Sequence, residues 1–441
     1  MTKKRSAATI VANAGVAADG VHGSVAPPLW ASDTYRWPDA DDKPAYDYSR
    51  TVNPNRDMLA AALAELEGAA GGAITGSGQS AALLALLLVP PDALVVAPHD
   101  CYGGTYRLIK GFADQGRIRA AFIDQGDPAA VDQAMADAPA MVWIETPSNP
   151  LLRLTDIATV AAKAKQAGGL VIADNTLPTP VRQRPLELGC DLVLHSTTKA
   201  LNGHGDLFGG ALLAADPALV ETLLWWTNAA GLAASAHDAW QILRGLRTLP
   251  LRIDRQEASA RILAEWLAQH PQVGEVHYPG LASHPDRALA ERQQSGPGFM
   301  VSFRLLGDDG ATASFLAALE LITLASSLGG FSSLICKPSS MTHRGMPPEA
   351  QQEAGIHPNL LRRSIGLDRL RILPADITQG IGTQFAAGKY FGRRVYVEVI
   401  TDGRGYSATT VEYQITRWLS LLSSISTIGR ESVNVRVSRD Y

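Results

Sequence analysis

Lys199 and Asp174 are the residues whose types and positions point most directly to chemistry. Asp174 ends the apolar run GLVIAD (169–174). Two threonines separate Lys199 from the apolar run DLVLHS (191–196). A lysine beside a buried strand is in a low dielectric, which favours its neutral form and lets it act as a Schiff-base nucleophile. Taken singly, each residue is more often a solvated or capping side chain, so neither defines a site alone.

A third feature is the segment GSGQS (76–80), which comes directly before a helical run at 81–88. Backbone N–H groups at the positive end of a helix suit a phosphate, although many Gly-Ser turns only cap helices. Pyridoxal 5′-phosphate (PLP) needs a Schiff-base lysine, an acid for its pyridine nitrogen and donors for its phosphate. The three features together therefore predict PLP, which none of them predicts alone.

The elements that must position these residues are short, uniformly apolar runs that alternate with helical segments between Leu59 and about residue 250. Such runs are typical of strands buried on both faces, and the helices between them indicate parallel crossovers. Ligands of an open α/β sheet collect beyond the carboxyl ends of its strands, where Asp174 and Lys199 are expected. The four runs are ALVVAP (93–98), MVWIE (141–145), GLVIAD (169–174) and DLVLHS (191–196).

The sequence predicts that the chain is divided into four segments. Residues 1–56 are expected to form an extended N-terminal arm, 57–250 the PLP-binding α/β domain, 251–382 a smaller α+β domain and 383–441 a tail. In the smaller domain a helical stretch (255–269) leads into the strand GFMVSFRLL (298–306). In the tail, 393–415 alternates like two strands around an Asp-Gly turn and 416–424 is predicted to be helical. The tail is either an added module or the product of a shifted reading frame, and we assign it no function.

Composition narrows the class of function. A net charge of −4 and a pI near 6.2 give no reason to expect nucleic acid or an anionic membrane as a partner, which leaves small-molecule chemistry. The three scattered cysteines indicate a reducing cytoplasm and neither a disulfide framework nor a metal site. The most apolar stretch (81–89) is too short to cross a bilayer, and no apolar region follows the basic start of the chain.

Many ordered motifs between about residues 8 and 382 resemble the Cys/Met-metabolism PLP enzymes. They are HDCYGGTYRL (99–108), ETPSNPLLR (145–153), VIADNTLPTP (171–180), DLVLHSTTKALNGHGD (191–206), LRGLRTL (243–249), SSLGGFSSLIC (326–336), SMTHRGMPPEAQQEAGI (340–356) and LLRRSIGLD (360–368). The resemblance implies an aminotransferase-like fold of type I, with a large domain built on a mainly parallel sheet and a smaller α+β C-terminal domain. It also implies an enzyme whose substrates are small molecules, namely free amino acids.

The resemblance also implies roles for individual residues of the cofactor site. Lys199 would be the Schiff-base lysine and Asp174 the partner of the pyridine nitrogen, while the ring of Tyr102 would stack on the cofactor. Asn149 would bond the phenolic oxygen of the cofactor. The residues implied for the phosphate are Gly78, Gln79, Ser196 and Thr198, with Tyr48 and Arg50 reaching in from the neighbouring subunit. A site shared in this way implies a dimer at least, and the family usually forms homotetramers built as dimers of dimers.

For the substrate, the resemblance makes Arg362 the residue that grips the α-carboxylate, a task suited to a guanidinium. Its neighbour Arg363 is a rival, but the spacing to Ser364-Ile365-Gly366 favours Arg362. Other positions that match residues near the substrate are Ser327, Asn149, Asp47, Arg107 and Asn228.

The family members most similar to this chain join an activated homoserine ester, here expected to be O-succinylhomoserine, to cysteine and so form cystathionine. Elimination by a γ-lyase, direct sulfhydrylation and an inactive oligomeric homologue stay open, whereas no G-x-G-x-x-G supports a dehydrogenase. Departures from the family pattern bear on this choice. Ala200 replaces a tyrosine, Gly205 a serine, Ser326 an acidic residue and Thr51 an arginine found in some members.

Overall fold

A computed structural model describes residues 5–373, 384–391, 394–401, 407–416, 419–427, 429 and 431–437 of the chain. These residues form three sheets. The largest is seven-stranded, in the order β1-β7-β6-β5-β4-β2-β3. Its strands are β1 Gly71–Thr75, β2 Leu94–Pro98, β3 Arg119–Ile123, β4 Met141–Glu145, β5 Leu170–Asp174, β6 Leu192–His195 and β7 Gly210–Ala214.

The middle of this sheet is parallel, as the sequence predicts. Strands β2 to β6 pair in parallel, while β7 runs antiparallel to both β1 and β6. The uniform apolarity of β4 follows from its position, because alternate residues face opposite sides and both sides are covered. Met141 and Trp143 pack into one core cluster, and Val142 and Ile144 pack into another. The edge strand β3 lacks this signal because its residues are exposed or half-buried.

Helices cover both faces of this sheet and connect it to a smaller one. Several begin with a side-chain cap, for example Asp156 before α6 and Asp216 before α8. The helices are α1 Ala7–Asn13, α2 Pro54–Glu67, α3 Gly78–Leu86, α4 Gly103–Asp114, α5 Pro128–Ala136, α6 Ile157–Gln166, α7 Thr179–Arg182, α8 Pro217–Ala229, α9 Ala236–Leu246, α10 Leu249–Ala268, α11 Arg287–Gln293, α12 Asp309–Ala317 and α13 Pro348–Glu353. No helix of the described ranges has the length and apolarity needed to span a membrane.

The second sheet has five strands in the order β10-β11-β12-β9-β8 and is antiparallel except at β10–β11. Its strands are β8 Val273–His277, β9 Met300–Leu305, β10 Thr323–Leu324, β11 Leu334–Cys336 and β12 Leu360–Ser364. One core cluster joins the two sheets, with Leu213 of β7, Ile253 of α10 and Phe303 of β9 among its members. This shared core fixes the edge of the large sheet relative to β12.

The N-terminal segment departs from the predicted extended arm at residues 7–13. Ser6 caps α1 by accepting from the Thr9 N–H, and Ile10 and Val11 are buried in the core that the two sheets share. Between α1 and the start of α2 at Pro54 the described chain is irregular, apart from one bridge between Thr34 and Tyr48. Because α1 has only seven residues, it is too short to show a clear helical period in the sequence.

The third sheet is six-stranded and antiparallel, in the order β13-β14-β15-β16-β17-β18, and the tail supplies every strand except β13, which lies before residue 383. Its strands are β13 Arg369–Leu373, β14 Gln384–Phe391, β15 Val395–Thr401, β16 Ser407–Gln414, β17 Leu419–Ser426 and β18 Glu431–Val437. The predicted pair of strands is present as β15 and β16, and the Asp-Gly turn lies outside the described residues. The predicted helix at 416–424 is wrong, because LSLLSSIS forms a strand whose Leu421 and Ile425 face one side while Ser420 is buried on the other.

Candidate active site

The carboxyl ends of β4, β5 and β6 open into a cavity of about 530 Å³ between the two sheets. These strand ends carry Glu145, Asp174 and the segment that leads to Lys199. The cavity contains eleven of the sequence-predicted site residues: Gly78, Gln79, Tyr102, Arg107, Asn149, Asp174, Ser196, Thr198, Lys199, Ser327 and Arg362. The structure thus brings the predicted lysine, acid and helix terminus to one place.

Lys199 reaches across the cavity to the smaller domain. Its Nζ donates to Oγ of Ser327 at 2.8 Å. Burial, with a smaller contribution from the charge of Arg362, lowers the pKa of Lys199 to about 8. A lysine of this kind is partly neutral near pH 7 and can attack a carbonyl carbon.

Arg252 of α10 holds the backbone that follows Lys199. It donates to the carbonyl oxygens of Ala200 at 2.7 Å and Leu201 at 3.3 Å. Ala200 is fully buried in the core, and a Cβ at Gly329 would lie 2.5 Å from its backbone nitrogen. The position where relatives carry tyrosine is therefore tightly packed in this chain, and Lys199 is held by backbone contacts.

Asp174 forms the acidic group of the cavity. Its Oδ1 accepts the Thr176 N–H at 3.0 Å, and burial raises its pKa while the bonds to Thr176 act in the opposite direction. The neighbouring Glu145 lies opposite it in the β4–β5 ladder, and burial together with the charge of Asp174 raises the pKa of Glu145 well above its usual value. A buried and a half-buried carboxyl group side by side favour a cationic group nearby, such as a protonated pyridine nitrogen.

The predicted phosphate end lies at the start of α3. This helix begins at Gly78, three residues earlier than the sequence pattern indicates, and Ser77 caps it by accepting the Ser80 N–H at 3.0 Å. A Cβ at Gly78 would lie 2.8 Å from Cβ of Ser196, so only glycine leaves this wall open. The hydroxyl of Thr198 exchanges hydrogen bonds with the backbone of Gly209.

Arg362 lies on β12 and points into the cavity, where it is 3% exposed. Its Nη1 donates to Oδ1 of Asn149 at 2.7 Å and its Nη2 to the carbonyl oxygen of Ser327 at 3.1 Å. Within the described residues its Nε has no hydrogen-bond partner, which leaves a buried donor for a ligand. Arg363, the rival position, is the next residue of the strand and lines a different cavity. The assignment of the substrate carboxylate to Arg362 stays a prediction.

Tyr102 stands at the entrance of α4, with 39% of its surface exposed. A Cβ at Gly104 would lie 2.5 Å from its ring and 2.9 Å from the amide nitrogen of Gln79, so this glycine lets the ring lie against Gln79. The exposed face of the ring is available for stacking on a planar ligand.

Four predicted residues lie outside the cavity of their own chain: Asp47, Tyr48, Arg50 and Asn228. Nη1 of Arg50 donates to Oδ1 and to the carbonyl oxygen of Asn228, both at 3.0 Å, and its guanidinium carbon lies 5.5 Å from the centre of the Tyr48 ring. Asp47 pairs with Lys43 at 3.3 Å. Thr51, a departure from the family pattern, bonds Asn228 as well.

The residues that line the same cavity and to which sequence reasoning assigned no role include Glu145, Thr176 and Phe208. Glu145 accepts the backbone N–H of Tyr102 at 2.8 Å, and Oγ1 of Thr176 accepts the N–H of Ser196 at 2.8 Å. Glu145 could have been found, because it ends an apolar strand just as Asp174 does. Phe208 has no such signal and is 74% exposed.

The residues present fit PLP. The cavity offers a lysine of lowered pKa, the half-buried carboxyl group of Asp174, an open wall at Gly78 and an exposed aromatic face. In the described part of the chain no cluster of His, Cys, Asp and Glu is arranged to hold a metal ion. Together with a mainly parallel sheet and a smaller second sheet, these features define a PLP-dependent enzyme of fold type I.

Comparison with known proteins places the chain within this class. It matches the model of the Cys/Met metabolism PLP-dependent enzymes over residues 8–382. The chain belongs to that family, as its motifs predict. It is 45% identical over 381 residues to cystathionine gamma-synthase of Escherichia coli (strain K12), an alignment that covers 86% of this chain and 98% of that protein.

Two further relatives indicate the range of activities in the family. Cystathionine gamma-lyase of Bacillus subtilis (strain 168) is 39% identical over 373 residues, which are 85% of this chain and 98% of that protein. The chain also resembles the crystal structure of cystathionine gamma synthase from Xanthomonas oryzae pv. oryzae in complex with aminoacrylate and cysteine, with 47% sequence identity and a TM-score of 0.82. The superposition covers 83% of this chain and 95% of the X. oryzae chain.

Proposed function

We propose that this enzyme joins O-succinylhomoserine to cysteine and releases cystathionine and succinate. The observation that carries the proposal is that Arg362 and Lys199 meet at Ser327: the guanidinium bonds its carbonyl oxygen and the amine bonds its hydroxyl. A carboxylate held by Arg362 would place the Cα of an amino acid beside Nζ of Lys199. The E. coli and X. oryzae relatives named cystathionine gamma-synthase support this choice of reaction.

PLP, when bound, supplies an electron sink that stabilises negative charge developing on the substrate carbons. Asp174 would keep the pyridine nitrogen protonated, and the N–H groups at the start of α3 would hold the phosphate with Ser196 and Thr198. Asn149 would bond the phenolic oxygen, and the ring of Tyr102 would stack on the cofactor plane.

Lys199 is the base and acid of the proposed mechanism. Its neutral Nζ removes the proton from Cα of the substrate and then carries protons between Cα and Cβ, which requires an amine of lowered pKa. The Cγ–O bond breaks and succinate leaves with its electron pair. The cysteine sulfur then bonds Cγ, and the thiol proton passes to the site or to water.

A direct test is incubation of the purified enzyme with O-succinylhomoserine and cysteine, with cystathionine measured by mass spectrometry. O-acetylhomoserine in a parallel reaction identifies the preferred acyl group. We expect cystathionine to form, faster from the succinyl ester. An absence of cystathionine with both esters would overturn the proposal.

Elimination is the second candidate, and Ser326 is the observation that favours it. This residue lines the cavity at a position where the sequence pattern of the family synthases has an acid, so Ser326 supplies no charge for binding the incoming amino acid. A lyase would hydrolyse cystathionine to cysteine, an oxo acid and ammonia without added thiol, and a sulfhydrylase would use sulfide in place of cysteine. Product profiles with cystathionine, with sulfide and without cysteine separate these activities.

We further propose that the enzyme works as a homotetramer in the cytoplasm, with Tyr48 and Arg50 completing the phosphate site of a neighbouring subunit. Their position outside the cavity of their own chain supports this arrangement. The three cysteines are buried and unpaired, which suits a reducing compartment. Light scattering measures the assembly. An active mixture of Arg50→Ala and Lys199→Ala subunits, each inactive alone, would establish the shared site, and an active pure Arg50→Ala enzyme would exclude it.

A further inference from the structure

A second cavity, of about 500 Å³, lies behind the five-stranded sheet, away from the active site. Its walls come from α10, from the segment around α12, from the back of the sheet and from the tail strands β15 and β16. Most of the lining is apolar: Leu263, Trp266, Leu267, Phe303, Phe315, Ala318, Leu319, Leu321, Ile322, Ile335 and Val399. A space of this size and character can hold an aliphatic or aromatic molecule of ten or so heavy atoms.

The polar group deepest in this wall is Arg363. Because side chains alternate along β12, Arg362 faces the active site and Arg363 faces the second cavity. Arg363 is 6% exposed and lies between Ile335 of β11 and Val301 of β9 in the strand register. It is therefore a cation set in an apolar surface.

Nothing in the described residues neutralises this cation by direct contact. The Nε of Arg363 has no hydrogen-bond partner among them, and no ion pair joins the guanidinium to an acid. Burial lowers the pKa of Arg363 to about 10, with Asp368 opposing the shift from a distance, so the side chain keeps its charge at neutral pH. An unpaired buried charge is unfavourable, and an anionic ligand would relieve it.

The other polar groups of the cavity limit which ligand fits. Glu320 lines it but is exposed to solvent, and among the described residues it forms no ion pair with Arg363. His270 packs against the ring of Trp266 at 4.8 Å, and Ser407 and Thr409 are uncharged. The arrangement suits one negative charge held at depth and an apolar body along the walls.

We propose that this cavity is a binding site for a monocarboxylate with an aliphatic body, whose carboxylate pairs with Arg363. The guanidinium offers the two parallel donors that a carboxylate accepts, and the apolar walls bury the chain. The site is separate from the catalytic cavity, since the two arginines point to opposite faces of one strand. It does not depend on the reaction proposed above.

The test is calorimetric titration of the PLP-loaded enzyme with decanoate, with decanol as a probe of the same length that lacks the charge. We expect one decanoate per chain and binding of decanol weaker by about 10- to 100-fold, the range that a charge-assisted hydrogen bond provides. Equal affinity for the two probes, or no saturable binding of decanoate, would overturn the proposal.

Arg363→Met should fold, because an apolar side chain of similar length replaces an unpaired buried charge. It should lose the preference for decanoate over decanol. The matched control is Arg304→Met on the neighbouring strand, where the arginine pairs with Glu275 at 2.8 Å outside the cavity, and it should bind decanoate unchanged. If Arg363→Met does not fold, Leu319→Trp keeps the arginine and fills the cavity. Undiminished binding of decanoate by Leu319→Trp would then rule the site out.

Discussion

Nζ of Lys199 donates a hydrogen bond to Oγ of Ser327 at 2.8 Å. Lys199 follows β6 of the large sheet, and Ser327 precedes β11 of the small sheet. Ser327 holds a φ of +91°, a left-handed conformation that a non-glycine residue adopts only when its surroundings impose it. One strained residue thus presents its hydroxyl to the lysine and its carbonyl oxygen to Arg362. The two sheets meet at this residue, and the site is complete only when both are in place.

Replacing Ser327 with alanine or glycine separates its hydroxyl from its backbone. Both variants lose the acceptor for Lys199, and we expect kcat to fall about tenfold in each. Glycine relieves the positive φ, so Ser327→Gly should be more stable than Ser327→Ala by about 1 kcal/mol. Steady-state kinetics and urea unfolding measure the two effects. Equal stability of the variants would show that the backbone is not strained.

The lowered pKa of Lys199 predicts how the cofactor-free enzyme takes up PLP as the pH changes. Only the neutral amine attacks the cofactor, and its fraction rises through a pKa of about 8, compared with 10.5 for an ordinary lysine. The rate of cofactor incorporation, followed by visible absorbance, should therefore rise from pH 6.5 to 8 and level off above about pH 9. A rate that keeps rising to pH 10 would contradict the effect of burial.

Gly78 and Gly76 form a matched pair for the phosphate site. A Cβ at Gly78 would contact Ser196 at 2.8 Å, whereas a Cβ at Gly76 would meet nothing within 4 Å. We expect Gly78→Ala to weaken PLP binding at least tenfold and Gly76→Ala to leave it within about twofold, because only the first changes the cavity wall. Fluorescence titration of the cofactor-free variants measures both affinities, and similar values would place the phosphate elsewhere.

Arg362 and Arg363 form a matched pair of positions for testing how the substrate binds. Arg362→Met removes the donors proposed for the α-carboxylate, and we expect KM for the homoserine ester to rise about 100-fold. Arg363→Met changes the same charge on the opposite face of the strand and should leave KM within about twofold. Steady-state kinetics at fixed cysteine measure both. A larger effect from Arg363 would reverse the assignment.

Asp174→Asn tests the acid of the cofactor site. Asparagine has nearly the same shape and can still accept the Thr176 N–H, but it cannot hold a positive charge on the pyridine nitrogen. We expect PLP to bind and kcat to fall at least about 100-fold, with the pH dependence of the cofactor spectrum altered. Retained kcat would mean that another group protonates the ring.

The parts of the fold that the sequence predicts are those with a uniform signal. Strands β2, β4, β5 and β6 are buried on both faces, so their sequences are almost continuous runs of apolar residues. Strands β1 and β3 carry glycine or exposed polar residues and leave no such trace. In the tail, the sequence pattern predicts a helix over 416–424, whereas Leu419–Ser426 forms a strand, because short apolar runs do not distinguish the helical period from the strand period.

For the site, the sequence indicates residue types at strand ends, and family motifs indicate which of them belong together. It could not indicate that Glu145 supports Tyr102 or that Thr176 supports Ser196, because these hydrogen bonds join segments 20 to 43 residues apart. It also could not indicate that Arg363 opens onto a second cavity, since that space depends on β15 and β16 of a tail with no recognisable motif.

We propose that Lys199 carries the cofactor. Borohydride reduction of the PLP-loaded enzyme, followed by proteolysis and mass mapping, tests it most directly, with Lys199→Ala as the control. We expect one pyridoxyl-modified peptide, labelled at Lys199 and missing from the variant. A label on another lysine, or no label on a protein that has bound PLP, would contradict it.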